Sequence, residues 1–333
     1  MKEDVASVGD FIRLWTTRND RWASPKFLAG ESYGTTRAAG LSGYLQERHG
    51  LYLNGIVLIS SILNFGTARF DRGNDLPFIL FLPTYTATAW YHGKLSGELG
   101  ASLTTAVDAA RGFAAGDYTL ALMKGDALSD QERVGIAGRL AELTGLNREY
   151  VLQANLRISI SRFVKELLRD QRRTVGRLDS RFLGRDFDTA GENYEFDPSY
   201  AAIQGPFTGA FNHYVRADLE YENDLPYEIL TGRVRPWSYK NAENQYLNVA
   251  ETLRKAMTEN PSLQVFVANG FFDFATPFFA TQYTFGHMGL DPALRSHVRF
   301  GFYEAGHMMY IRKKSHDKLK KDLAAFYASA LGG

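Results

Sequence analysis

Three residue types suited to nucleophilic chemistry each stand just beyond an apolar run. The first is Ser32, in Gly30-Glu31-Ser32-Tyr33-Gly34, which reads G-x-S-x-G. Residues 26–29 before it read as a short apolar strand, and residues 35–41 after it carry small and apolar side chains at helical spacing. A serine in a strand-to-helix turn takes strained backbone angles, and glycines two residues to either side remove side chains that would collide there. The turn lifts the hydroxyl out of the sheet and aims the N–H groups of the first helical turn toward it, where they can stabilise an oxyanion.

A serine hydroxyl attacks only when a base takes its proton, and an imidazole base is best oriented by a buried carboxylate. In parallel α/β sheets such groups lie beyond the carboxyl ends of strands. The apolar run 263–268 is followed by Asn269-Gly270-Phe271-Phe272-Asp273, and the run 298–303 by Glu304-Ala305-Gly306-His307. Asp273 and His307 are therefore the expected carboxylate and base, and capping of the next helix is the rival role for Asp273. His49 and His316 fall on polar helix faces and His297 precedes a strand, so all three are expected to be solvated. His92 and His213 read as structural, with pocket lining as the competing role, and His287 ends a helix.

These groups need a scaffold. The pattern gives an amphipathic helix over 8–18, the Ser32 strand and its helix to residue 48, and a near-continuous apolar strand at 55–61. Helical periods at 99–115, 129–143 and 159–170 follow, the second opening on the capping box Ser129-Asp130-Gln131-Glu132. Residues 171–235 read as long irregular loops with short helices. Helices at 241–258, 276–287 and 315–330 then alternate with the strands 263–268 and 298–303. Alternating strands and helices indicate an α/β fold with a mainly parallel sheet. The order Ser32, Asp273, His307 is that of α/β-hydrolases. The expected division is a core of residues 1–69 and 236–333 with a largely helical cap inserted at 70–235.

Ser32 in its pentapeptide, residues 269–277 and Ala305-Gly306-His307-Met308 together resemble the serine carboxypeptidase family, peptidase family S10, and its bacterial branch in particular. The resemblance spans almost the whole chain. It implies Ser32 as nucleophile, His307 as base and then acid, Asp273 as its orienter, and the Tyr33 backbone N–H as an oxyanion donor. It also implies that Glu31 binds the substrate's terminal carboxylate through a shared proton. A glutamate beside a carboxylate has a raised pKa and donates only while protonated, so peptide cleavage should favour acid. The expected activity is hydrolysis of C-terminal peptide bonds through an acyl-enzyme, with hydrophobic and aromatic cap residues, including those near 205–209, as the side-chain pocket by their position in the cap.

Two departures from the family pattern stand out. Met309-Tyr310-Ile311 follows the Gly-His-Met where many members have proline. The upstream Asn-Gly-Gly-Pro-Gly loop, source of the second oxyanion donor and of a carboxylate-binding asparagine, has no counterpart. The sheet is then expected to lack its first strands, leaving the Ser32 strand with an unpaired apolar edge. A chain inactive alone, self-associating or completed by an upstream half in trans, is the resulting alternative. Ester hydrolysis or acyl transfer on the same triad is another.

Composition narrows the classes further. The 333 residues are 45% hydrophobic, enough for a sizeable core, and the net charge of +1 argues against a nucleic-acid binder. No cysteine is present, so neither a disulfide nor a thiolate site is expected. There is no H-E-x-x-H, no clustered ligand set and no nucleotide-binding loop, so neither metal nor cofactor is expected. No apolar run is long enough to span a membrane. Met1-Lys2-Glu3-Asp4 does not open a signal peptide, and the compartment stays open. The arginines between 169 and 185 alternate with aspartates and read as a solvated face.

Overall fold

The computed structural model describes residues 1–332. Helix α1 (Lys2–Arg18) leads into β1 (Phe27–Glu31), α2 (Tyr33–His49) and β2 (Gly55–Ile59). A long connection follows. It carries α3 (Leu76–Tyr91), α4 (Gly97–Ala101), α5 (Leu103–Phe113), α6 (Thr119–Lys124), α7 (Asp130–Thr144), α8 (Arg148–Gln153) and α9 (Ile160–Glu166). A two-stranded antiparallel ribbon, β3 (Thr174–Val175) with β4 (Leu183–Gly184), and α10 (Pro198–His213) complete it. The chain returns through α11 (Ala250–Glu259) to β5 (Gln264–Gly270), α12 (Phe278–Gly286), β6 (Val298–Tyr303) and α13 (Lys313–Ala330).

The main sheet is α/β in character, with strand order β1-β2-β5-β6 and every pairing parallel. Its register aligns Glu31 with Ile59 and Ile59 with Ala268, so the carboxyl ends of the strands lie side by side. Alternation along the strands explains their continuous apolar character, because both faces are covered. Ile56, Leu58, Val265 and Val267 pack toward the face of α1, α2 and α11. Val57, Phe266 and Ala268 pack on the other face with Leu319 and Phe326 of α13.

Small residues let the helices approach. A methyl at Gly9 would stand 2.5 Å from the Tyr44 ring, and one at Gly43 would stand 2.6 Å from Thr252. Asp4 of α1 binds Arg37 of α2 through both oxygens and accepts the Tyr33 hydroxyl at 2.9 Å. α1 thus braces the start of α2, and it begins six residues earlier than the periodicity predicts.

The long connection has its own core. Phe81, Leu82, Tyr85, Leu140, Leu143 and Phe163 pack together, and Phe274, the neighbour of Asp273, inserts among them. Tyr85 stacks on Phe163 with ring centroids 4.2 Å apart, and Phe274 lies 5.4 Å from Tyr85. α3 is absent from the sequence reading because it is apolar on nearly every face and so shows no helical period. α10, 16 residues long, is longer than the short helices expected between loops in 171–235, and the proposed pocket residues 205–209 form one of its mostly exposed turns. The expected helix 241–258 is shorter, since only Ala250–Glu259 is α-helical. The capping box at Ser129 and Glu132 is formed.

The arginines between 169 and 185 do not make a uniformly solvated face. Arg181 pairs with buried Asp179 at 2.6 Å, and Arg169 pairs with Glu166. Nearby, Lys165 and Asp186 form a fully buried ion pair that also takes the Thr174 hydroxyl. No described helix is long and apolar enough to cross a membrane.

Candidate active site

Ser32 stands between the last residue of β1 and the first of α2, with φ 55° and ψ −124°. That positive φ is costly for a residue with a Cβ, and the surrounding backbone imposes it. The Ser32 N–H donates to the Ile59 carbonyl at 3.0 Å, and its own carbonyl accepts from Thr35 N–H at 2.9 Å. The two glycines of the pentapeptide are not equivalent. A Cβ at Gly30 would lie 2.1 Å from the Gly34 carbonyl oxygen, whereas one at Gly34 would meet nothing within 4 Å. Only Gly30 is required by sterics, which corrects the expectation of a collision on both sides.

Tyr33 is the first residue of α2, so its N–H has no i−4 carbonyl within the helix. Its ring is fixed by the hydroxyl bond to Asp4 and by an edge contact with Trp237, centroids 5.3 Å apart.

Asp273 and His307 come together. Nδ1 of His307 lies 2.8 Å from Asp273 Oδ2, with Asp273 fully buried and His307 5% exposed. A carboxylate can only accept, so Nδ1 carries the hydrogen and Nε2 of the neutral ring is left with a lone pair. Asp273 also accepts from Ala275 N–H at 2.7 Å, Thr276 N–H at 3.1 Å and the Thr276 hydroxyl at 2.6 Å. These donors close the turn 273–276 and do not cap α12, whose N-cap is Pro277. The capping role considered for Asp273 is therefore corrected to a turn role.

Burial of the His307 ring pushes its pKa down, but the charge and hydrogen bond of Asp273, with help from Glu31, outweigh it and hold the pKa above the ordinary value. Ser60, itself at φ 52°, donates its hydroxyl to the His307 carbonyl at 2.6 Å. Among the described residues no hydrogen bond joins Ser32 Oγ to His307. Ser32 and His307 stand beyond the carboxyl ends of β1 and β6, at the same end of the sheet.

Glu31 precedes Ser32 and accepts the Tyr310 hydroxyl on both oxygens, at 3.0 and 2.8 Å. Burial raises its pKa, opposed by the Tyr310 hydrogen bond and by His307, and Asp273 adds to the rise. Tyr310 was not picked out from sequence. Nor were Thr276 and Ser60. Their signal lay in position alone, each within three residues of a strand end or a candidate residue.

The other histidines stay outside this group. His49 is not solvated as expected: it pairs with Asp10 at 2.9 Å and its side chain is only 10% exposed. His92 is structural, meeting the Ser180 carbonyl at 2.7 Å, and His287 meets the Tyr283 carbonyl at 2.8 Å. No group of metal-ligating side chains is present among the described residues. The cleft lined by Ile12, Trp15, Phe27 and Leu28 opens at the other end of β1 from Ser32.

No protein-family model matches the chain. No curated protein matches it either. Among solved structures, one described as the crystal structure of VinJ aligns with 97% of this chain and 73% of its own, at 13% identity and a TM-score of 0.33. At that score the likeness carries no argument about fold detail or activity.

Proposed function

We propose that this chain is a serine-type hydrolase of α/β-hydrolase architecture, acting as a carboxypeptidase. The observation that carries the reading is the buried Asp273–His307 pair at the same sheet end as a serine held at positive φ. Residues 1–69 and 236–333 form the core in this reading, and 70–235 form the cap. In the reaction, Ser32 Oγ attacks the scissile carbonyl while His307 Nε2 takes its proton. The Tyr33 N–H stabilises the oxyanion, and the proton passes from His307 to the leaving amine. Water then adds to the acyl-serine with His307 again as base, releasing the shortened peptide.

Glu31 supports the choice of a C-terminal peptide bond. Its raised pKa favours a protonated carboxyl, and a protonated carboxyl can donate to the terminal carboxylate of a peptide beside Ser32. An ester without that carboxylate would gain nothing from it. The test is labelling with a fluorophosphonate followed by intact mass and peptide mapping. One adduct on Ser32, absent from Ser32→Ala and strongly reduced in His307→Gln, is the expected result. Folded protein without an adduct would remove the hydrolase reading.

A second reading is favoured by one feature. β1 pairs only with β2, so its outer edge is open and Ala29 is exposed there. An unpaired edge is a template for another strand, and the chain would then act only after a partner strand joins β1. Self-association in size-exclusion chromatography, with labelling confined to the associated fraction, would favour it.

A further inference from the structure

We infer that segment 177–181, far from the catalytic residues in sequence, positions the Asp273–His307 pair, and that Asp179 is the positioning residue at its centre. This rests on the hydrolase reading above for its catalytic consequence only. The β5–β6 ladder ends at Gly270 and Tyr303, and Asp273 and His307 stand on the two loops beyond it. Two further backbone bonds, Phe271 N–H to Tyr303 and Phe272 N–H to Ala305, continue the pairing. Segment 177–181 then crosses both loops.

Its contacts alternate between them. The Arg177 carbonyl accepts from Phe274 N–H at 3.0 Å, and Ser180 N–H donates to the Phe272 carbonyl at 2.9 Å, so Asp273 is held from both sides. The Leu178 carbonyl accepts from His307 N–H at 2.7 Å, and Asp179 Oδ2 accepts from Gly306 N–H at 3.1 Å. A Cβ at Gly306 would lie 2.4 Å from Asp179, so the glycine before His307 is required by this contact. The segment is itself fixed from behind. Asp197 takes the N–H groups of Arg177 and Leu178, and the Ser199 hydroxyl takes that of Asp179 at 3.2 Å.

Asp179 is buried and its carboxylate is locked by Arg181, whose Nε and Nη2 approach at 2.9 and 2.6 Å. Arg181 also donates to the Glu304 carbonyl in the His307 loop at 3.2 Å. A fork of five fixed donors on one side and a carboxylate with both oxygens engaged gives a rigid post. Without it the Gly306–His307 turn loses a charge-assisted bond and a steric stop, and the imidazole is free to move relative to Ser32. A misplacement near 1 Å costs on the order of 10²-fold in rate.

The experiment uses Asp179→Ala, Asp179→Asn and Arg181→Lys in the full chain. For Asp179→Ala, kcat is expected to fall roughly 10²-fold with KM within about two-fold of wild type. Asp179→Asn keeps an oxygen for Gly306 N–H and should recover part of the loss. An independent readout is the low-field proton NMR resonance of His307 Nδ1–H, assigned by its absence in His307→Gln. It should shift or broaden in Asp179→Ala while the amide spectrum stays native-like. If wild type cleaves nothing but the resonance still depends on Asp179, the hydrolase reading fails and this inference stands. Wild-type kcat and an unchanged resonance in Asp179→Ala overturn it. Should Asp179→Ala fail to fold, losses in Asp179→Asn and Arg181→Lys that merely track the folded fraction would overturn it as well.

Discussion

Gly30→Ala tests the elbow that presents Ser32. The added methyl would stand 2.1 Å from the Gly34 oxygen, 2.4 Å from the Gly34 carbonyl carbon and 2.9 Å from the Thr35 nitrogen. All three are backbone atoms of the first turn of α2, so no side chain can rotate away. Overpacking costs about 1–3 kcal/mol where neighbours can adjust, and here the top of that range, about 3 kcal/mol, applies. Gly34→Ala is the matched control, because its methyl meets nothing and an alanine in a helix gains about 0.5–1 kcal/mol over glycine. In a chain of this size each kcal/mol moves the midpoint by roughly 2 °C. Thermal unfolding followed by circular dichroism should therefore show Gly30→Ala lowered by about 6 °C and Gly34→Ala raised by about 1–2 °C. Fluorophosphonate labelling should slow in Gly30→Ala, because relief of the clash moves α2 and Ser32 with it. A Gly30→Ala protein with wild-type midpoint and labelling, or a Gly34→Ala protein equally damaged, would refute the reasoning.

The other predictions concern protons and buried charge. Asp273→Asn keeps the shape but presents the wrong partner to Nδ1, so kcat should drop by about 10⁴; the acid limb of kcat/KM should also move to lower pH, because Asp273 holds the His307 pKa up. Tyr310→Phe removes the donor that stabilises ionised Glu31, so the alkaline limb of peptide hydrolysis should move to higher pH while ester hydrolysis keeps its profile. A downward move of that limb would contradict the assignment. Glu31 has a folded pKa above its unfolded value, so its contribution to stability is full below the unfolded value and is lost as pH rises through the folded one. Glu31→Gln should accordingly gain stability relative to wild type as pH is raised above the ordinary glutamate range, as read by denaturant midpoints. Lys165→Met leaves Asp186 buried and unpaired, and should destabilise by roughly 3–5 kcal/mol in urea unfolding.

Where the candidate residues stand relative to the strands could be read from sequence, and the reasons are physical. Runs such as 55–59 and 264–268 are apolar because both faces of a parallel sheet are buried, so strand ends could be located and the residues beyond them named. Ser32 carried its own turn signal in Gly30. What escaped was either uniform or remote. α3 has no polar face to set a period, and the Arg-, Asp-, Gly-, Tyr- and Pro-rich composition of 171–235 hides the 16-residue helix α10. The role of segment 177–181 depends on hydrogen bonds to residues about 90 to 130 positions away, which no local pattern encodes. The alternation of arginine and aspartate there looked like surface chemistry. In the fold two of those aspartates, Asp179 and Asp186, are buried against cations.

The most direct test of the account is release of the C-terminal amino acid from a blocked dipeptide between about pH 4 and pH 8, wild type beside Ser32→Ala. The account predicts release by wild type that is abolished in the variant and that weakens toward alkaline pH as Glu31 ionises. Equal release by both proteins, or none from well-folded wild type, would contradict it.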